Sequence, residues 1–242
     1  MKTYNLLILL TFTLIFTSCK KENATSINEE LRLISDSVSF TINNKSYFFD
    51  SQNEIGIGNR QINIKPSISQ ISGRNAAYIT GGFYWYGEPD STLYDISYGL
   101  VENLKLQSFK ISFSKKYKND QLIKYFSILM PQNNSDILKV GKQKFAVDFK
   151  KENTTEGVSL EFRSRDHSGT LSTYIPGFSI LVKANLTKNI QDNSTFEIVK
   201  VQKVDEIYHM IEAKFSLNLF DENAKLYRLE NGFLRFKVKI NS

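Results

Sequence analysis

Few residues in this 242-residue chain could carry chemistry by type, and fewer by spacing. It holds two histidines, His167 and His209, and a single cysteine, Cys19. A zinc or iron centre needs several His, Cys or carboxylate ligands converging on one point, and no spacing here suggests such a set. "FDENAK" at 220–225 offers oxygens to calcium but lacks the spaced acids and the glycine of an EF-hand loop. In "SRDHSGT" the residues Asp166, His167 and Ser168 are consecutive, and neighbouring side chains in extended or turn backbone point apart. They cannot relay a proton in line, and a turn ending at Gly169 accounts for all three. There is no Gly-x-Ser-x-Gly elbow, and "GIGNRQ" at 56–61 lacks the third glycine of a phosphate loop, so no cofactor is expected.

Two features remain. Paired carboxylates for glycoside hydrolysis can come from anywhere in a sequence, and Glu88, Asp90, Glu161 and Asp166 all border aromatic strands. The second feature is "GGFYWYGEPDS" at 81–91. Four consecutive aromatics on a strand send Phe83 and Trp85 to one side and Tyr84 and Tyr86 to the other. Either both faces of that strand are covered, or one pair forms an exposed platform for a sugar ring or a partner, rimmed by Glu88 and Asp90.

The elements that must position these residues are strands. "LRFKVKI" places Leu234, Phe236, Val238 and Ile240 on one face and Arg235, Lys237 and Lys239 on the other, the signature of a half-buried strand. Asn231-Gly232 ahead of it accepts the positive φ of a type I′ turn, which predicts a hairpin over "KLYRLENGFLRFKVKI". Similar reasoning gives a hairpin in "SVSFTINNKSYFF", turning at Asn43-Asn44. Further strands are read in "RQINIKPSI", "AAYITGGFYWYG", "LYDISYGLV", "LQSFKISFS", "KQKFAVDF", "GVSLEFRSR", "TLSTYI", "TFEIVKVQKV" and "IEAKFSLNLF", and a helix in "DQLIKYFSILM". About twelve strands predict an all-β fold, an antiparallel β-sandwich, with a closed lipocalin-like barrel as the alternative.

The N-terminus reads differently. Met1-Lys2 precedes an apolar run from Leu6 to Phe16, little more than half the roughly 20 residues a spanning helix needs. It is a secretory leader, residues 1–18, excluded from the fold. Thr17-Ser18 directly before Cys19 resembles the bacterial lipoprotein signal, although Phe16 stands where leucine is usual. That resemblance implies diacylglyceryl transfer to the Cys19 thiol, cleavage, and acylation of the new amine. Two or three chains hold a protein on a bilayer where one does not. Lipidation would also remove an unpaired thiol from an oxidising compartment. Residues 19–36 then form a polar tether, with a helical turn at 28–34. Residues 37–242 form a single β domain. Losing Lys2 with the leader lowers the formal charge from +6 to +5. Acids are interleaved with the bases, so there is no basic stripe and no nucleic-acid partner is expected.

"FTINNKSYF", "LKVGKQKFAV", "LEFRSRDHSGTLSTY", "STFEIVKVQK", "IEAKFSLNLF" and "LENGFLRFKV", in that order, resemble an uncharacterised family of Bacteroidota envelope lipoproteins. Ala213-Lys214-Phe215 departs from its Gly-Thr-Phe, and Asn43-Asn44-Lys45 from its Asn-Gly-Lys. The resemblance implies a β-rich domain on a lipid anchor and carries no activity. Lys20 follows the anchor where some bacteria read aspartate as an inner-membrane retention signal, so an outer-membrane location is expected. Asp36-Ser37-Val38 and Asp90-Ser91-Thr92 look like O-glycan acceptors of such proteins. The expected function is a non-enzymatic module binding a glycan or an envelope protein, held to membrane lipid through Cys19. A polysaccharide hydrolase and an adhesion or assembly subunit are the alternatives.

Overall fold

The computed structural model describes residues 30–51, 59–68, 85–86, 90–125, 128–150, 153–175 and 186–239. The leader, Cys19 and most of the tether lie outside the described residues. The chain divides into two compact units, Met1–Ile34 and Ser35–Ser242. In the first, residues 30–33 are helical, within the turn expected at 28–34. Among the described residues no helix is long and apolar enough to cross a membrane.

The second unit is all β. Its strands are β1 (Ser37–Ile42), β2 (Lys45–Asp50), β3 (Asn59–Ile68), β4 (Trp85–Tyr86), β5 (Ser91–Glu102), β6 (Gln107–Lys118), β7 (Leu122–Tyr125), β8 (Ile128–Pro131), β9 (Gly141–Lys142), β10 (Gly157–Arg163), β11 (Thr170–Ser172), β12 (Thr195–Lys203), β13 (Tyr208–Phe220) and β14 (Leu226–Lys239). Twelve of them form one sheet in the order β2-β1-β14-β13-β11-β10-β6-β5-β3-β4, with β12 beside β13 and β9 beside β12. The pairings are antiparallel except for β3 with β4, which run parallel. Among the described strands the ladder ends at β2 and at β4.

This sheet curls until its two halves face each other, because both present apolar residues at every second position. Tyr94, Ile96, Tyr98 and Leu100 of β5, Phe109, Ile111 and Phe113 of β6, and Val158, Leu160 and Phe162 of β10 line one wall. Val38 and Phe40 of β1, Phe49 of β2, Phe215 of β13 and Leu234 and Phe236 of β14 line the other. Aromatic rings join the walls: Phe40 meets Phe162 edge-on at 5.0 Å, Phe109 lies 6.3 Å from Phe215, and Phe113 meets Phe196 at 5.9 Å. Each large apolar side chain buried this way contributes about 1.5–3 kcal/mol, so the two-layered core is the main source of stability.

Local backbone explains where the sequence reading held and where it failed. Asn43 and Asn44 take φ of 50° and 61° and close the β1–β2 hairpin as expected. Asn231 also has positive φ, 53°, yet no hairpin forms there. β14 continues through it, and Asn231-Gly232 is a bulge: the step from Phe215 to Leu217 on β13 is matched by Gly232 to Leu229 on β14, one residue more. The same extra residue appears against β1, between Ser39 and Thr41. Positive φ therefore serves a bulge rather than a turn. "DQLIKYFSILM" is not a helix but the β7–β8 hairpin, with Leu122 opposite Pro131 and Tyr125 opposite Ile128. "KQKFAVDF" is not a strand beyond Lys142. Phe145 makes one bridge to Val158, and the chain then turns at residues 147–150.

Candidate functional site

β5, β6, β10 and β11 have a second face, opposite the core, and it is polar. The register aligns it in rows across the strands. Asp95 pairs with Ser114 and Ser114 with Gly157; Ser97 pairs with Ser112 and Ser112 with Ser159. Gly99 stands opposite Lys110, Lys110 opposite Glu161, and Glu161 opposite Ser172. In the last row Val101, Ser108, Arg163 and Thr170 follow one another. Residues two apart on a strand share a face, so this face runs from small buried hydroxyls at one end to charged residues at the other.

A strap, described at residues 143–150 and 153–156, lies over the first rows. Ala146 donates its N–H to Val158 O at 2.9 Å, and Val158 donates to Lys144 O at 2.7 Å, tying the strap to β10. Asp148 holds the turn: Thr154 N–H donates to its Oδ2 at 2.8 Å, Thr155 N–H to its Oδ1 at 3.0 Å, and both threonine hydroxyls donate as well. Burial pushes the Asp148 carboxyl up, but these four donors outweigh it and leave it below the usual carboxylate range. Beneath the strap Lys65 is only 4 % exposed and Asp95 is fully buried. The Lys65 ammonium donates to Asn153 Oδ1 at 3.0 Å, stands 3.7 Å from Asp95 Oδ2 and lies 4.7 Å over the Phe149 ring. Burial pulls the Lys65 pKa down, while Asp95 opposes the shift. Ser97 reaches Asp95 Oδ1 at 3.3 Å and Ser112 Oγ at 2.9 Å, and the buried hydroxyls of Ser114 and Ser159 have no hydrogen-bond partner among the described residues.

Where the strap stops, the face opens into a trough. One depression of about 310 Å³ is floored by Gly99, Lys110, Glu161 and Thr170. A second, of about 390 Å³, adjoins it between the β5–β6 turn and the β10–β11 turn, and the two share Val101, Ser108 and Arg163. Asn103, Leu106, Gln107, Arg165, His167 and Gly169 are among the other residues that line the second. The His167 ring sits 5.0 Å from Tyr227, and burial lowers its pKa. Its buried Nε2 has no hydrogen-bond partner among the described residues.

Glu161 and Asp166, the two acids singled out by sequence near the trough, are already engaged. Glu161 accepts from the Lys150 ammonium and, at 2.8 Å, from the Tyr174 hydroxyl, whose pKa burial and Glu161 push well up. Asp166 accepts from Lys45 at 2.6 Å and from Tyr47 at 3.0 Å, and these two partners lower its pKa. Burial, and then Asp166, push the Tyr47 hydroxyl up to about 12. A glycosidase acid needs the opposite shift.

Of the other residues singled out by sequence, Phe83, Tyr84 and Glu88 lie outside the described residues, as does Cys19. Trp85 and Tyr86 form β4 and pair with Ser67 and Ile68 at the sheet end. Asp90 is exposed with φ of 57°, and its carbonyl accepts the Asn119 N–H at 2.9 Å. Ser91, the second suggested O-glycan acceptor, is buried at 4 % exposure and cannot meet a transferase in this fold. Among the described residues no group of three or more His, Cys, Asp or Glu could hold a metal ion.

The trough was not singled out from sequence. Its signal lay in the polar alternation of "QSFKISFSKKYK" and "GVSLEFRSR", which reads equally as an ordinary solvent face. No protein-family model, curated protein or solved structure matches this chain.

Proposed function

We propose that this chain is a lipid-anchored, non-catalytic binding protein of the bacterial cell envelope, and that the trough holds its ligand. The observation that carries the reading is the trough's construction. Four hydrogen-bonded strands, the middle two paired on both sides, give it a firm floor, and polar side chains line the open space above it. A preformed site of this kind binds without reorganisation. Glu161 and Asp166 hold internal partners, which favours binding over acid and base chemistry. The leader and Cys19, as read in the sequence, would supply the outer-membrane anchor. The test is a glycan array probed with the detergent-solubilised full chain. Gly99→Leu, which fills the floor, should abolish the signals that the parent protein gives, and unchanged signals would refute the trough as the site.

The β2 edge supports a second reading, assembly through strand addition. β2 pairs only with β1 among the described strands, and Phe48 on it is 56 % exposed. Phe48→Glu should dissociate any oligomer seen by light scattering, and an oligomer that persists would exclude this edge.

A further inference from the structure

We infer that the trough selects a carboxylate-bearing saccharide, with Arg163 and Arg165 recognising its charge. This rests on the binding reading above and names its ligand class. The wider depression is lined by Arg163, Arg165 and His167 and by no Asp or Glu. Three of the acids bordering it face other cations: Glu102 pairs with Lys105 at 2.5 Å, Asp166 with Lys45, and Glu161 with Lys150. Glu222, whose carboxyl lies 3.6 Å from where a Cβ of Gly169 would stand, sets one negative charge at the rim against the two arginines and His167. Neither guanidinium has an ion-pair partner among the described residues, and both Arg163 and Arg165 are exposed. Two forked, permanently charged donors lining one depression fit a planar carboxylate better than any neutral group.

The remaining lining suits a sugar. Asn103, Gln107, Ser108 and Thr170 carry amide and hydroxyl groups that match ring hydroxyls, while Val101 and Leu106 offer apolar surface to the C–H side of a ring. An acidic peptide would bring the same charge, but extended peptides dock by adding a strand to a free edge. The two middle strands under the trough, β6 and β10, are paired on both sides along Ser108–Lys110 and Glu161–Arg163, so its floor offers side chains and no free backbone edge.

The test uses the full chain in detergent on an array carrying uronate oligosaccharides, their methyl esters, neutral oligosaccharides and oligoglutamate. Binding to the free uronates should exceed binding to the esters by about tenfold or more, and Arg163→Gln with Arg165→Gln should erase that margin. Lys200→Gln with Lys214→Gln, which removes the same charge from exposed positions elsewhere, should leave it intact. Arg163→Lys with Arg165→Lys keeps the charge without the fork and should recover only part of it. Equal binding of acid and ester, or oligoglutamate binding as tightly as uronate, overturns the inference while leaving a binding trough in place. Absence of any saccharide signal overturns both. Matching melting curves for the Arg variants and the parent exclude misfolding as the cause.

Discussion

Gly232 on β14 lies directly against the Phe215 ring of β13: a Cβ at position 232 would stand 2.3 Å from Phe215 Cδ2 and 2.6 Å from the Phe215 carbonyl oxygen. The bulge that begins at Asn231 brings the two backbones this close, so glycine is required for space. Gly232→Ala should destabilise the domain by about 1–3 kcal/mol, as overpacked cores do. Phe215→Leu added to it should recover part of the loss in urea denaturation, and only part, because the carbonyl contact remains. A Gly232→Ala variant as stable as the parent would contradict the bulge.

Lys65 and Asp95 form a buried pair under the strap. Lys65→Met strips the ammonium from Asp95 and should cost about 3–5 kcal/mol, the usual penalty for breaking one side of a buried pair. Lys65→Met with Asp95→Asn removes both charges and should be more stable than Lys65→Met alone. Denaturant midpoints decide this, and a double variant weaker than the single would show that the two side chains do not interact.

Asp148 links strap stability to pH. Its folded pKa is depressed, so the stabilisation is fully present above the unfolded value of about 3.9 and is lost as pH falls through the folded pKa. Asp148→Asn should melt lower at pH 7, by about 1–3 kcal/mol for donors left with fewer acceptors. It should also lose the acid-dependent fall between about pH 5 and the folded pKa. Parallel melting curves for parent and variant across that window would exclude Asp148 as the source.

Cys19 carries the anchoring proposal. Mass spectrometry of the native protein should find residues 1–18 removed and acyl chains on Cys19, and Cys19→Ser should move the protein from the membrane to the soluble fraction. A bare thiol on membrane-free parent protein would sink the anchor.

Much of the fold could be read from particular residues. Phe109, Ile111 and Phe113 alternate strictly with polar neighbours, and the core follows that alternation. Asn43-Asn44 turns because both residues tolerate positive φ and nothing pairs across them. Asn231-Gly232 carries the same local signal with a different outcome, because β1 and β13 both pair with the chain on either side of it, and those contacts are non-local. The trough was harder to see. Ser97, Ser112 and Ser159 are hydroxyls that a strand can present to water or to a strap. Only the fold shows that they are buried while Lys110, Arg163 and Thr170 line the open trough. The segment "KQKFAVDF" misled because its alternation is real, but Asp148 pulls the chain into a turn through Thr154 and Thr155.

The account stands most directly on where a ligand sits. An NMR titration of the isotope-labelled full chain, with a saccharide that it binds, should shift the amides of Gly99, Lys110, Arg163 and Thr170 and leave those of Trp85 and Tyr86 in place. Shifts centred on Trp85 and Tyr86, with the four trough residues silent, would contradict it and return the binding site to the aromatic run.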